Sequence, residues 1–240
     1  MSEEVKVLIG IPYSEKVLPL AAFLAWMRLA AQGHDVIAAD GAVPLAREQL
    51  VRTFLKSDCT HLLMLDLDHA HPPDVVQRLT RWLGHECKPK IVNGLHYQRK
   101  EPFRPAAFMW ESVDTLKLLT ITSWTPGLVK VDATGAASLL VAREVFEKLG
   151  SPYFPFHYID GPDGPRFIGE DIWFCRRAQL AGYDVWIDTT TTSPHVGERL
   201  VGEADFRGWL AAHPPAEPAQ QVDTQMAQLQ DKREEAQSNG

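Results

Sequence analysis

The sequence predicts an α/β fold built from βαβ units around a central, mostly parallel mixed sheet. Three observations carry that expectation. Strand-like and helix-like segments alternate at short spacing through the first part of the chain, the pattern of successive βαβ units. His61 to Leu67 is almost continuously apolar, as a strand buried on both faces of a parallel sheet must be. The chain has 240 residues, 45% of them hydrophobic and 23% charged, which suffices for one sizeable core and is short for two.

Taken in order, Val5 to Ile11 is a β-branched run closed by Pro12 and predicts the first strand. Val17 to Gln32 predicts a helix with Gly33 as its C-terminal cap. His34 to Ala39 predicts a second strand ending at the Asp40-Gly41 turn. Val43 to Leu55 is amphipathic, has Pro44 near its start and predicts a second helix. After the buried strand, Pro72-Pro73-Asp74 opens a helix to about Gly84, and Lys90 to Leu95 predicts a fourth strand. Farther on the alternation loosens. Glu101 to Trp110 reads as an aromatic, proline-rich loop, and Leu116 to Val131 as two strands broken at Pro126-Gly127. Ala142 to Leu149 predicts a short helix stopped by Gly150 and Pro152. Ser151 to Ile168 reads as an ordered loop or lid, Asp171 to Ala181 as a helix capped by Gly182, and Val185 to Asp188 as a last short strand. One domain is expected over residues 1–212, followed by a flexible or helical tail over 213–240 that is rich in Pro, Ala, Gln and charge.

The formal net charge of -7 argues against broad binding to nucleic acid or anionic membrane. Cys59, Cys87 and Cys175 are odd in number and form no CxxC pair. They point to a reducing compartment, hence a cytoplasmic location in a cell or host, and against a cysteine zinc site. Met1 to Glu4 is acidic and polar and does not read as a secretory signal. The most apolar run, Leu18 to Met27, is bounded by Lys16 and Arg28 and falls short of the roughly 20 apolar residues that cross a bilayer. No transmembrane segment is expected, and the run reads as a buried helix.

The motifs that carry chemistry fall at predicted carboxyl ends of strands or beside them, where open α/β sheets bind ligands. In Leu65-Asp66-Leu67-Asp68, two carboxylates leave the buried strand two residues apart. Their oxygens suit Mg²⁺ or Mn²⁺ bound together with substrate phosphates, or else belong to a solvated turn. Glu170 and Asp171 stand at a helix start, where acids cap free N–H groups and suit the helix dipole. There one carboxylate is equally able to face an acceptor as general base. His195 follows the last strand in the polar run Thr189 to Gly197, either as a surface residue or as a metal ligand beside the distant acids. Thr134-Gly135-Ala136 lies in a run of small residues that suits close backbone approach to a ligand or tight sheet packing. No glycine-rich dinucleotide fingerprint opens the first helix, and no P-loop is present. His69 and His71 make only a weak hydrolytic metal pair.

In this order, Ile11-Pro12-Tyr13, Arg47, Leu65-Asp66-Leu67-Asp68, Thr134-Gly135-Ala136, Gly169-Glu170-Asp171 and His195 resemble the GT-A glycosyltransferases. The resemblance is to the family 2 type and its compact phage and bacterial relatives, over about residues 5–198. It implies a GT-A fold and transfer of a sugar from a nucleoside-diphosphate sugar, with UDP-sugar favoured, to an acceptor hydroxyl. It further implies that Ile11, Pro12 and Tyr13 line a nucleobase pocket, with Asp40 near the base or ribose and Arg47 helping to hold the nucleotide. Asp66 would lie near the ribose and metal, while Asp68 and His195 ligate Mn²⁺ or Mg²⁺. Gly135 and Ala136 would lie beside the sugar or acceptor. Asp171 is the favoured base, with Glu170 in the same acidic motif, and Trp173 either stacks on a sugar or packs in the core. The first loop departs from the commoner Pro-x-Tyr-Asn, reading Pro12-Tyr13-Ser14-Glu15. The membrane segments and long C-terminal extension of processive synthases are lacking, so a single transfer is expected; with Asp171 as base it would be inverting, and a retaining course stays open.

Three other readings compete. A haloacid-dehalogenase-type phosphatase needs Asp66 as nucleophile and usually a Thr where this chain has Ala70. A nucleotidyltransferase needs a Gly-rich, basic loop after the first strand. A nucleotide-sugar-binding module without catalysis would have little reason to keep all the acidic and histidine elements. The acceptor is open among a saccharide, a lipid-linked sugar, a protein side chain and a hydroxymethylated DNA base. Arg99, Lys100 and Arg104 beside Tyr97 and Phe103 suit nucleic acid by charge and stacking, or form a solvated loop.

Overall fold

A computed structural model describes residues 4–14, 20–161, 164–196 and 200–214. The first half follows the predicted order: β1 (Val7–Tyr13), α1 (Leu20–Ala30), β2 (Asp35–Asp40), α2 (Val43–Phe54) and β3 (His61–Leu65). Helix α3 (Val75–Thr80) then runs into a 3₁₀ turn before β4 (Ile91–Leu95). Next come β5 (Ala107–Ser112), β6 (Lys117–Thr120), β7 (Leu128–Val131), β8 (Ala133–Thr134), β9 (Ser138–Ala142) and α4 (Arg143–Leu149). The last part holds β10 (His157–Gly161), β11 (Gly164–Ile168), α5 (Glu170–Leu180), β12 (Val185–Thr192), β13 (His195–Val196), β14 (Leu200–Val201) and α6 (Glu203–Ala212).

The main sheet has seven strands in the order β2-β1-β3-β9-β4-β12-β7. Strands β2, β1, β3, β4 and β12 point one way, while β9 and β7 run against them. The pleat explains why the β3 sequence is apolar throughout. Leu62 and Met64 join Val51, Phe54, Phe146 and Phe174 from α2, α4 and α5 on one face. Leu63 and Leu65 join Leu29, Val75, Val76 and Leu79 from α1 and α3 on the other. A strand sandwiched between two helix layers has no face left for polar residues. Gly33 closes α1 with φ +74, the left-handed conformation expected of its cap position.

Several local expectations are corrected. Glu101 to Trp110 is not all loop, because Ala107 and Phe108 pair with Thr134 and Ala133, and β5 continues against β6. Ser151 to Ile168 carries the hairpin β10–β11, with Tyr158 opposite Phe167. Strand β12 runs on to Thr192, since the threonines are β-branched, and β13, β14 and α6 follow it. The segment read as a small-residue motif contains β9, which inserts antiparallel between β3 and β4 and is wholly buried. Finally, α1 is not a buried helix. Ala22 and Leu29 are buried, while Leu20 is 71% and Met27 54% exposed, with Phe23 and Leu24 exposed beside them. Small Ala22 lets the helix sit against the sheet along a narrow stripe, so its larger residues face outward.

Among the described residues no helix is long and apolar enough to cross a membrane. Glu15 of the first loop, the expected helix start at Val17, Gly197, and the expected tail from residue 215 onward lie outside the described residues.

Candidate active site

The parallel strands β1, β2 and β3 deliver their carboxyl ends to one edge of the sheet. Tyr13 and Asp40 are register partners there, and the Gly41 N–H donates to the Tyr13 carbonyl at 3.1 Å. Pro12 is buried, Ile11 and Tyr13 are half-buried, and Asp40 is exposed. Beside them Arg47 rises from α2, only 3% exposed. Its guanidinium donates to Glu170 Oε1 at 2.6 Å and to Asp66 Oδ1 and Oδ2 at 2.9 and 3.2 Å. Arg47 therefore clamps the acid after β3 to the acid that opens α5. Both carboxylates stay partly open to solvent, so the buried cation carries the larger desolvation burden.

Beyond Asp66, the loop after β3 pairs with the segment after β12. The Val196 N–H donates to the Asp68 carbonyl at 2.8 Å and the Ala70 N–H to the Pro194 carbonyl at 2.9 Å. That pairing brings His195 Nε2 within 3.1 Å of Asp68 Oδ2. His195 Nδ1 donates to the Tyr97 carbonyl at 3.2 Å, which leaves Nε2 as a lone-pair donor atom. His69 Nδ1 donates to Asp68 Oδ1 at 2.9 Å, and its ring stacks on His195 with centroids 4.1 Å apart. His69 Nε2 is buried and has no hydrogen-bond partner. Asp68, His69 and His195 thus form a compact group able to hold a metal ion, their ligand atoms lying within 4.8 Å of one another. One carboxylate with imidazole nitrogens suits Mn²⁺ better than Mg²⁺, which prefers oxygen. Burial pushes the Asp68 carboxyl up, but its neighbours His195 and His69 outweigh it and hold the group well below the usual carboxylate range.

His71 has a different place. It is 4% exposed, donates from Nε2 to the Asp66 carbonyl at 2.9 Å, and accepts from the Ser193 hydroxyl at 3.0 Å. Burial and the neighbouring His69 lower its pKa to about 3, so it is a neutral strut between the two loops. The His69 and His71 pair read from the sequence divides accordingly, with His69 in the metal group and His71 behind it.

The third part of the site is built on Gly135. The buried Asn93 amide on β4 donates to Thr134 Oγ1 and to the Gly135 carbonyl, both at 2.8 Å, and its oxygen accepts the Ser138 N–H at 3.2 Å. A Cβ on Gly135 would lie 2.4 Å from His96 Nε2 and 3.6 Å from Asp171 Oδ2. His96 and Asp171 therefore face each other across a space that only glycine leaves open. Ala136 is buried beside it. Asp171 accepts the Ile172 N–H at 2.7 Å. Burial first, then the adjacent Glu170, raise its pKa to about 6, with Arg47 opposing them. Gly135→Ala is expected to destabilise the fold by about 1–3 kcal/mol, because buried His96 has to move. A thermal melt checks this, and a variant that melts with wild type would mean that the space at Gly135 is not needed for packing.

The structure brings together Asp66, Asp68, His195, Arg47, Glu170, Asp171 and Gly135. Trp173 packs against the core and is stacked flat on His157 with centroids 3.7 Å apart, so that imidazole already covers one face of the indole. The sequence reading set His69 aside as half of a weak metal pair, and it missed His96 and Asn93 as site residues. His69 had a signal in its position directly after Asp68, whereas His96 and Asn93 matter through contacts that only the packed sheet creates. Of the basic cluster, Arg99 reaches Asp68 and His195, while Lys100 and Arg104 are exposed.

No protein-family model matches the sequence, and no curated protein does either. Solved structures do share the fold. The A197 protein from STIV is 17% identical, with a TM-score of 0.61 over 84% of this chain and 92% of its own. A structure of GalNAc-T7 with UDP, GalNAc and Mn²⁺ is 11% identical, with a TM-score of 0.52 over 88% of this chain. The present chain spans about half of that protein, 48% of its length. The fold is α/β of the GT-A type, with βαβ units and a mixed central sheet.

Proposed function

We propose that the protein is a metal-dependent glycosyltransferase that moves a sugar from a nucleoside-diphosphate sugar, with UDP-sugar favoured, to an acceptor hydroxyl. The observation that carries this reading is the convergence, at the carboxyl edge of the sheet, of the Asp68–His69–His195 group with the clamped acids Asp66, Glu170 and Asp171. The GalNAc-T7 structure, which holds a sugar, UDP and Mn²⁺ on the same fold, supports it. In this reading Ile11, Pro12, Tyr13 and Asp40 receive the base and ribose, while Asp68 and His195, joined by His69, hold Mn²⁺ or Mg²⁺. When bound, the cation supplies positive charge to the departing diphosphate. Gly135 and Ala136 leave room for the sugar, and Asp171 takes the proton of the acceptor hydroxyl as that oxygen attacks the anomeric carbon. The transfer is then inverting. We assign residues 1–212 to this one domain. The acceptor is one of a saccharide, a lipid-linked sugar, a protein side chain or a modified DNA base. The phosphatase reading needs Asp66 as a free nucleophile, and here both its oxygens accept hydrogen bonds from Arg47.

Calorimetric titration of UDP and then GDP, with and without Mn²⁺, tests the proposal. UDP is expected to bind only with Mn²⁺, and Asp68→Ala and His195→Ala are each expected to weaken it by about tenfold or more, since ligand loss typically exceeds 1.4 kcal/mol. A folded wild-type protein that binds neither nucleotide would overturn the reading.

A further inference from the structure

We infer that Arg99 is a built-in stand-in for the metal ion, and that a divalent cation enters the Asp68–His195 site only by displacing its guanidinium. The inference rests on the metal-site reading above. Asp68 Oδ2 and His195 Nε2 are both lone-pair atoms, and they lie 3.1 Å apart, facing one point. Left alone, two such atoms repel. Here Arg99 resolves the conflict, because its Nε donates to His195 Nε2 at 2.8 Å while its terminal nitrogen donates to Asp68 Oδ2. Atoms 3.1 Å apart are close enough for one divalent cation to bind both, through the lone pairs that Arg99 uses. Guanidinium and metal therefore use the same lone pairs and the same space.

The surroundings make the exchange physically reasonable. Arg99 approaches from the solvent side, with its side chain 49% exposed, against 24% for Asp68. It sits in a polar loop with exposed neighbours Gln98 and Lys100, so its release breaks no core packing. A displaced guanidinium stays next to the cation and needs an anion. The diphosphate of the donor is the nearest chemical match, since Arg binds phosphate oxygens through its fork. Metal and nucleotide binding then help each other through one side chain, and coupling of this kind is reciprocal.

The test is Mn²⁺ alone, added to the full-length protein without nucleotide, with free Mn²⁺ read by electron paramagnetic resonance. Arg99→Ala and Arg99→Gln are expected to bind Mn²⁺ about tenfold more tightly than wild type, the worth of a hydrogen bond to a charged group. Lys100→Ala removes the same charge one residue away and is expected to leave the affinity unchanged. Equal affinity in wild type and both Arg99 variants would overturn the inference, as would an equal gain in Lys100→Ala, which would reduce the effect to general charge. If no form of the protein binds Mn²⁺, the metal-site reading fails and this inference fails with it. If wild type binds Mn²⁺ but Arg99 does not matter, only the inference falls.

Discussion

Asp171→Asn is expected to lower sugar transfer by about 10²-fold or more while leaving Mn²⁺ and UDP binding near wild type, within the range for loss of a general base. Hydrolysis of the donor sugar by water, which needs no acceptor, provides a first assay. The pH dependence sharpens the expectation. A base works deprotonated, and burial together with Glu170 raises the Asp171 carboxyl to about 6. The rate is therefore expected to fall as pH drops below about 6, where an ordinary carboxylate would hold its activity to about 4. A profile flat from pH 5 to 8, or wild-type turnover in Asp171→Asn, would remove the base assignment.

The same raised pKa has a stability consequence of definite sign. The folded protein holds the Asp171 proton at pH values where the unfolded chain has already released it. Stability from this group is present at low pH and is lost as pH rises from about 4 to about 6. Asp171→Asn, which has no charge to desolvate, is thus expected to melt higher than wild type at pH 7 and to lose that advantage near pH 4. A base held in a buried position costs stability in return for proton affinity, which is the trade expected of a catalytic group.

Arg47→Met carries the largest expected effect on the fold. Arg47 is buried and binds Asp66 and Glu170 at once, so its removal leaves two carboxylates facing each other with Asp171 close behind. Losing one partner of a buried ion pair costs about 3–5 kcal/mol, and the partial exposure of these carboxylates places this case near 3. A melting temperature lower by about 10 °C follows for a domain of this size. Arg47→Lys keeps the charge but cannot span both acids, and is expected to recover only part of the loss. A fall of no more than about 2 °C in Arg47→Met would mean that the clamp contributes little. The double change Asp66→Asn with Glu170→Gln in the Arg47→Met background is expected to restore part of the stability, because it removes the uncompensated charges.

The sequence by itself determined the βαβ half of this protein and the positions of its acids. The apolar run of β3, the proline start of α2, the glycine cap of α1 and the acids at the end of β3 and the start of α5 are local facts. They follow from side-chain period, backbone restriction and helix-end chemistry, all of which act over a few residues. The tertiary structure alone decided how those pieces meet. Strand β9 inserts between β3 and β4, although its short apolar run does not announce a strand. Asp68 and His195 touch across 127 residues of chain, and Arg47 joins Glu170 across 123. Burial of Asp171, the Gly135 gap beside His96, and the contact of the Arg99 guanidinium with Asp68 and His195 likewise exist only once the sheet has closed. The physical reason is that strand pairing and desolvation depend on which distant segments pack together, and no local periodicity records the partner.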